Sequence, residues 1–345
     1  MIQQLISRYK RLRTERFLSQ TYQYQYGFVG MGQHSMTNLY PVLHYLQAPL
    51  KYICTTSLHK ARLIERKFQG VKATTSLDEV LRDSSVKGII ISASPSSHFG
   101  LASQVLQSGK SLFIEKPPCQ SLQQLHTLFE LQHRYGSSIA AVGLQKRYAP
   151  AVQLLKKRLF HTHLLNYDLH YLTGSYPEGN PLLDLYIHPL DLVCYLFGAP
   201  THITCQSFAP NSFLLMLQHP HILGTIELST THSWAHGQDC LTVHTHTGTY
   251  HLSQTEDLTF IPRPTHFLSI PFEKMHPFPL HTIHLQSPNH FSPILTSNPI
   301  YTQGYFSELQ AFLHSVETQK DHTLTGLSTL QDTFSLLEKI TKTTP

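Results

Sequence analysis

The 345-residue sequence predicts an α/β protein whose first half is a doubly wound parallel sheet and whose second part is rich in strands. From Tyr24 to Leu144, short apolar runs alternate with stretches of helical spacing. Those runs are near-continuous in Ile, Val and Phe, which is the mark of strands buried on both faces and joined by right-handed βαβ crossovers. Residues 200–270 instead carry runs such as HITCQSF, FLLMLQH, GTIELST and CLTVHTH, separated by turns and lacking long helical periodicity.

In order, the first-half strands are YGFVG (26–30), LKYICT (50–55), GIIISA (88–93), SLFIEK (111–116) and SIAAVGL (138–144). Helices are expected over 36–47, 59–69, 98–109 and 121–135. The chain divides into a basic N-terminal extension (1–21), the alternating α/β domain (22–144) and a second α/β domain (145–345). Hydrophobic residues make up 41% and charged residues 14%, enough apolar surface to offset conformational entropy, so intrinsic disorder is excluded as the default.

The five cysteines form no CxxC pair, which suits a reducing compartment. The net charge of +5 is spread thinly except over the first sixteen residues, where Arg8, Lys10, Arg11, Arg13 and Arg16 cluster. That segment reads as a solvated helical extension with scope for weak contact to an anionic surface, and no nucleic-acid partner is expected. No secretory apolar segment follows it and no membrane-length apolar run occurs, so a cytoplasmic location is expected. Histidine is abundant, at 25 residues, but no HExxH or Cys/His cluster marks a metal site, and none is expected.

The first strand runs into Gly30-Met31-Gly32-Gln33-His34-Ser35, a GxGxxS form of the dinucleotide fingerprint. Gly30 permits the tight turn, Gly32 lets backbone approach a pyrophosphate, and the following helix offers its N-terminal amides, with Gln33, His34 and Ser35 alongside. The second strand ought to end in an acidic residue for the ribose 2′-hydroxyl. It ends instead in Thr55, Thr56 and Ser57, with Lys60 close behind. Small hydroxyls and a cation suit a 2′-phosphate, so NADP is expected, with NAD as the alternative.

The string SASPSSHFGLASQVLQSGKSLFIEKPPCQSLQQLHTL (92–128) resembles the Gfo/Idh/MocA oxidoreductases, which carry P-x-x-x-H after one strand and E-K-P after the next. Here the proline and histidine are Pro95 and His98, with two residues between them instead of three, and the second motif is Glu115-Lys116-Pro117. GLQKRYAPA (143–151), LLDLYIHPLDLVCYLFG (182–198), GTIELSTTHSW (224–234) and YFSELQAFLHSV (305–316) agree in order. The resemblance implies a Rossmann domain followed by an α/β domain with a large open, mostly antiparallel sheet, the active site lying between them.

It also implies roles. Lys116 would reach the reacting oxygen, His188 would exchange its proton, and Asp184, four residues earlier, would orient the imidazole. Asp191 reads as structural. Ser94, Pro95, His98 and Glu115 would neighbour the cofactor, Gln145 and Arg147 would face nicotinamide or substrate, and Tyr148 and Tyr171 are candidates for stacking on a sugar. Two departures bear on this: the family's glycine-rich turn before the Asp reads SYPEGNPLL here, and Pro189 is expected to kink the segment carrying His188.

The function expected from the resemblance is NAD(P)-dependent hydride transfer between nicotinamide and a hydroxyl or keto carbon of a sugar or polyol-like substrate. A glycosidase or epimerase that holds its NAD and oxidises transiently, and a non-catalytic dinucleotide-binding sensor, are the alternatives. An open sheet left bare suggests a homodimer or homotetramer through the second domain.

Overall fold

The structure, a computed structural model, describes residues 2–19, 21–137, 139–264, 266–267, 270–271, 274, 281–289 and 295–343. Ser138, in the expected last run of the first half, and residues 265, 268 and 269, in the β-rich stretch, lie outside the described residues. The basic segment forms α1 (Ile2–Ser19), with Ile2, Leu5, Ile6, Tyr9 and Leu12 exposed along it.

Six strands, β1 (Gln25–Val29), β2 (Leu50–Cys54), β3 (Lys72–Thr74), β4 (Val86–Ile91), β5 (Ser111–Glu115) and β6 (Ala140–Gly143), form a parallel sheet in the order β3-β2-β1-β4-β5-β6. Strand order reverses between β1 and β4, the switch point outside which ligands sit in such sheets. The short edge strand β3, with Lys72 exposed, offers no apolar run and is the one strand of this sheet the sequence pattern does not reveal. Five helices connect the strands: α2 (Tyr40–Tyr45), α3 (Leu58–Lys67), α4 (Leu77–Arg82), α5 (Pro95–Gln107) and α6 (Leu122–Tyr135). Ser57, Ser76 and Ser121 cap α3, α4 and α6 by accepting the amides of Lys60, Glu79 and Gln124. The expected helix over 36–47 begins as a π turn, Ser35–Leu39, with Pro41 just past its junction with α2.

Alternation along the strands sends side chains to two cores. Val29, Ile89, Ile91, Leu112 and Ile114 face the side covered by α5 and α6. Tyr26, Phe28, Ile90 and Phe113 face the other.

The second domain starts with α7 (Pro150–Leu159), β7 (Leu164–Leu172), a π turn at Leu182–Tyr186 and α8 (Ile187–Phe197). The strands β8 (His202–Ala209), β9 (Ser212–Gln218), β10 (Leu223–Ser229), β11 (Gln238–Thr245), β12 (Gly248–Ser253) and β13 (Asp257–Pro262) follow, then the small pair β14 (His266–Phe267) and β15 (Ile270–Pro271), and β16 (Ile283–Gln286). Eight of the ten described strands from β7 to β16 make an open sheet ordered β16-β13-β12-β11-β7-β10-β9-β8, antiparallel at every pairing but β7 with β10. Its inner face, including Leu169, Phe213, Leu215, Ile226 and Val243, packs with Ile187, Leu190 and Val193 of α8. The outer face presents Leu165, Phe208, Leu214, Met216 and Leu223 to solvent beside the charged trio Asp168, His170 and Glu227.

The chain then returns through α9 (Pro299–Thr302), α10 (Tyr305–Thr318) and α11 (Gln331–Thr343). Leu309, Phe312, Leu313 and Val316 of α10 complete the core on the Tyr26 and Phe28 side of the first sheet. Phe334, Leu337 and Ile340 of α11 join the core beneath α8.

Candidate active site

Two cavities flank the seam between the domains. The first, about 520 Å³, opens at the carboxyl ends of β1, β2 and β4. Gly30 holds φ at +88°, and a Cβ there would sit 2.3 Å from the Ser92 carbonyl oxygen, so both the conformation and the space require glycine. A Cβ on Gly32 would meet nothing within 4 Å, so the backbone there is open to the cavity. Ser35, almost fully buried, bonds through its hydroxyl to Ser92 Oγ at 2.9 Å and receives the Gly32 amide at 3.4 Å. The serine in place of the third glycine thus fastens the fingerprint loop to the exit of β4. Gln33, His34, Thr55, Thr56, Lys60 and Ser94 also border this cavity. Ser57 instead caps α3, which sets the position of Lys60 in that helix's first turn. These residues fit a dinucleotide, with an open glycine backbone at the pyrophosphate position and hydroxyls and an ammonium, with no carboxylate, at the end of β2.

Pro95 and His98 stand apart from that cavity. Pro95 opens α5, where its missing amide costs nothing. His98 is buried, with Nδ1 2.8 Å from the Pro117 carbonyl and Nε2 3.0 Å from that of Ala93. Its expected place beside the cofactor is corrected to a clamp between the β4 exit and the Glu115-Lys116-Pro117 turn.

Glu115 is buried, takes the Lys116 amide at 3.3 Å and lies 3.2 Å from His34 Nε2. A Cβ on Gly143 would press on its carboxylate at 3.0 Å, so the β6 glycine makes room for the acid. The next residue crosses the seam. Lys116, whose bond to Pro117 is cis, donates from Nζ to the backbone carbonyl of Asp184 at 2.5 Å. Burial pushes the Lys116 ammonium below the ordinary lysine range, with Glu115 and Asp184 opposing.

His188 lies in the first turn of α8 and lines the second cavity, about 500 Å³. Its Nδ1 is buried without a hydrogen-bond partner. Burial first, then the positive charges of Lys116, Lys146 and His34, hold the imidazole well below the usual histidine range, so it is neutral at pH 7. The expected orienting bond from Asp184 is not formed: Asp184 Oδ2 accepts the Asn180 amide at 2.9 Å, and Gly179 abuts the same oxygen. The SYPEGNPLL turn wraps the carboxylate, so what Asp184 offers across the seam is its carbonyl. Pro189 falls in the first turn of α8, three residues past the π turn at Leu182–Tyr186.

Gln145 and Tyr171 line the second cavity, and Gln145 Nε2 donates to Tyr305 Oη at 3.2 Å. Arg147 does not reach it. Its guanidinium is buried, bonding Asp191 through Nε at 2.8 Å and Nη2 at 2.5 Å, with further bonds to the Leu324 and Thr329 carbonyls and the Thr329 hydroxyl. Tyr148 is likewise turned inward, accepting the Leu324 amide at 2.6 Å. Both are corrected from substrate contacts to structural ties to the segment between α10 and α11.

The neighbour the sequence reading passed over, Lys146, is the one that lines the cavity, 2.5 Å from Asp239 and 5.1 Å from the centre of the Tyr171 ring. Trp234 forms the rim, more than half exposed, its Nε1 donating to Ser175 O at 2.9 Å. A Cβ on Gly174 would collide with its ring at 2.4 Å. Trp234 is the only tryptophan in the chain and lies shortly after β10, a signal that was legible in the sequence as the end of GTIELSTTHSW.

Comparison with known proteins bears on the first domain and on the fold. Residues 24–143 match the model of the GFO_IDH_MocA oxidoreductase family, described as an NAD-binding Rossmann fold. The uncharacterized oxidoreductase YhhX of Escherichia coli is 26% identical over 148 residues, 39% of this chain and 42% of that protein. The scyllo-inositol 2-dehydrogenase (NAD(+)) of Bacillus subtilis is 28% identical over 162 residues, 43% of this chain and 47% of that protein. The chain thus spans about half the length of the curated relatives it matches. Among solved structures, a dehydrogenase from Chromobacterium violaceum superposes with a TM-score of 0.79 at 18% identity, over 93% of this chain and 95% of that one. A levoglucosan dehydrogenase with NADH and levoglucosan gives 0.75 at 15%, over 93% and 96%. Residues 24–143 thus match the nucleotide-binding domain of the GFO_IDH_MocA oxidoreductases, and the whole chain, with its second domain built on an open eight-stranded sheet, shares the fold of the solved dehydrogenases.

Proposed function

We propose that the protein is an NADP-preferring oxidoreductase that moves a hydride between the nicotinamide and a hydroxyl or keto carbon of a neutral sugar or polyol. The observation that carries this reading is the convergence at the seam: an ammonium from the first domain, Lys116, bonds the carbonyl of Asp184, and a neutral imidazole with a free buried nitrogen, His188, stands one turn further on. Bound NADP supplies the hydride acceptor or donor.

The chain's own groups handle the oxygen. In the oxidising direction, neutral His188 accepts the hydroxyl proton while the Lys116 ammonium stabilises the charge that develops on oxygen. In the reducing direction the proton returns by the same route. Gly30 and Gly32 would hold the pyrophosphate, and Lys60 with Thr55 and Thr56 the 2′-phosphate. His188 is held low, so its proton-accepting form persists below the ordinary histidine range. The acid limb of polyol oxidation is expected there, not near the unperturbed value of about 6.5.

The test is nucleotide oxidation with a panel of keto-sugars, followed at the reduced-nicotinamide band. Lys116→Met is expected to lower kcat by about 10²–10³ and His188→Asn by about 10²–10⁴, with nucleotide affinity retained. Lys60→Ala should raise the Kd for NADPH by about 10–100-fold, the loss of one charge-assisted hydrogen bond, and leave NADH unchanged. Undiminished turnover in both catalytic variants, or no turnover with either nucleotide, overturns the reading.

A further inference from the structure

The second cavity carries an ion pair that the hydride-transfer scheme does not use. Lys146 Nζ meets Asp239 Oδ2 at 2.5 Å, both side chains are more than four-fifths buried, and both line the cavity together with His188. Thr255 Oγ1 donates to the same Asp239 oxygen at 3.1 Å, and the ammonium lies over Tyr171. The two charges come from distant parts of the chain, the 3₁₀ turn after β6 and the first residues of β11.

Resting on the polyol reading above, we infer that the Lys146–Asp239 pair sets the charge class of the substrate, admitting a neutral vicinal diol and rejecting a carboxylated sugar. A lone lysine in such a cavity would attract an acid. Here the lysine charge is balanced in place, so a substrate carboxylate would lie beside Asp239 with no net cation to offset the repulsion. The pair presents donors on the ammonium and acceptors on the carboxylate side by side. Adjacent hydroxyls, each able to donate and accept, match that pattern, and a buried site built to bond hydroxyls discriminates strongly against ligands that leave its groups unpaired. Asp239 is thus a specificity-determining residue of a kind that neither the fingerprint nor the Lys116 and His188 constellation encodes.

Trp234 provides a readout independent of turnover, since it is the sole tryptophan and stands on the cavity rim. Binding of D-glucose against D-glucuronate, and of D-galactose against D-galacturonate, is followed by its fluorescence in the NADPH-loaded protein. The wild type is expected to favour the neutral member of at least one pair by tenfold or more. Asp239→Asn should erase or invert that preference by strengthening binding of the acid. Lys146→Met, which leaves Asp239 uncompensated, should weaken the acid further. Circular-dichroism melting identifies any variant that fails to fold, and Asp239→Ser then replaces Asp239→Asn. Binding of the acids as tight as the neutral sugars by the wild type, no binding of either neutral sugar, or an unchanged preference in folded Asp239→Asn overturns the inference. Preference without hydride transfer would instead overturn the oxidoreductase reading and leave the inference standing.

Discussion

Replacing Arg147 by methionine distinguishes a structural arginine from a substrate arginine. All five N–H donors of its guanidinium are engaged, two of them with Asp191, and the paired side chains are 4% and 2% exposed. In Arg147→Met, Asp191 keeps only the Thr333 hydroxyl, at 3.0 Å, as a side-chain partner for a buried charge. Removing one member of a buried pair costs about 3–5 kcal/mol, because the remaining ion is left uncompensated. For a domain of this size that corresponds to a fall in Tm of about 6–20 °C. Arg147→Lys should not rescue it, since an ammonium cannot span the carboxylate and the two carbonyls at once. Arg147→Met with Asp191→Leu should recover much of the loss, because the orphaned charge is gone. Calorimetry or a circular-dichroism melt reads the shift directly. A folded Arg147→Met protein melting within about 2 °C of wild type, with its defect confined to the KM for the polyol, would refute the structural assignment.

Two further outcomes follow from groups away from the seam. Glu308 on α10 is buried with neither carboxylate oxygen in a well-formed hydrogen bond, and burial, then Glu115, hold its pKa well above the usual range, the Leu144 amide opposing. The folded state therefore keeps a proton that the unfolded chain releases above about pH 4.3, so stability declines as pH rises from there toward the folded-state pKa. Glu308→Gln should raise Tm more at pH 8 than at pH 5; an equal change at both would remove Glu308 as the source. The outer face of the open sheet, with Phe208, Leu214 and Met216 about half exposed, is expected to be covered by a second copy. Light scattering should give a dimer or tetramer for the wild type and a monomer for Leu214→Arg with Met216→Arg, and a monomeric wild type would rule this out.

The parallel sheet was legible because strands buried on both faces leave uninterrupted Ile and Val runs, as in GIIISA. β3 left no such trace. In the site, identity was readable where a motif fixes the backbone, as at Gly30, Gly32 and Lys116. Side-chain direction was not. Lys146, Arg147 and Tyr148 are consecutive in one 3₁₀ turn, yet the first points to the cavity and the next two into the protein. Spacing cannot rank such neighbours, since their partners, Asp239, Asp191 and Leu324, lie far along the chain. Likewise Asp184 and His188 share a spacing that suggests contact, and the loop from Asn180 claims the carboxylate first.

The dependence of the first sheet on α10 bears on biosynthesis. Tyr26, Phe28, Ile90 and Phe113 share their core with Val42 and Leu43 of α2 and Ile64 of α3, but its covering is completed only when residues 305–316 arrive, so during translation the nucleotide-binding lobe emerges with one flank partly unsealed until α10 has left the ribosome. Premature termination ahead of Tyr305 would release a lobe that retains its glycine turn yet exposes a slab of aromatic surface, making it prey to aggregation and proteolysis. Splitting this protein into two independently produced halves would therefore require carrying α10 over to the first half.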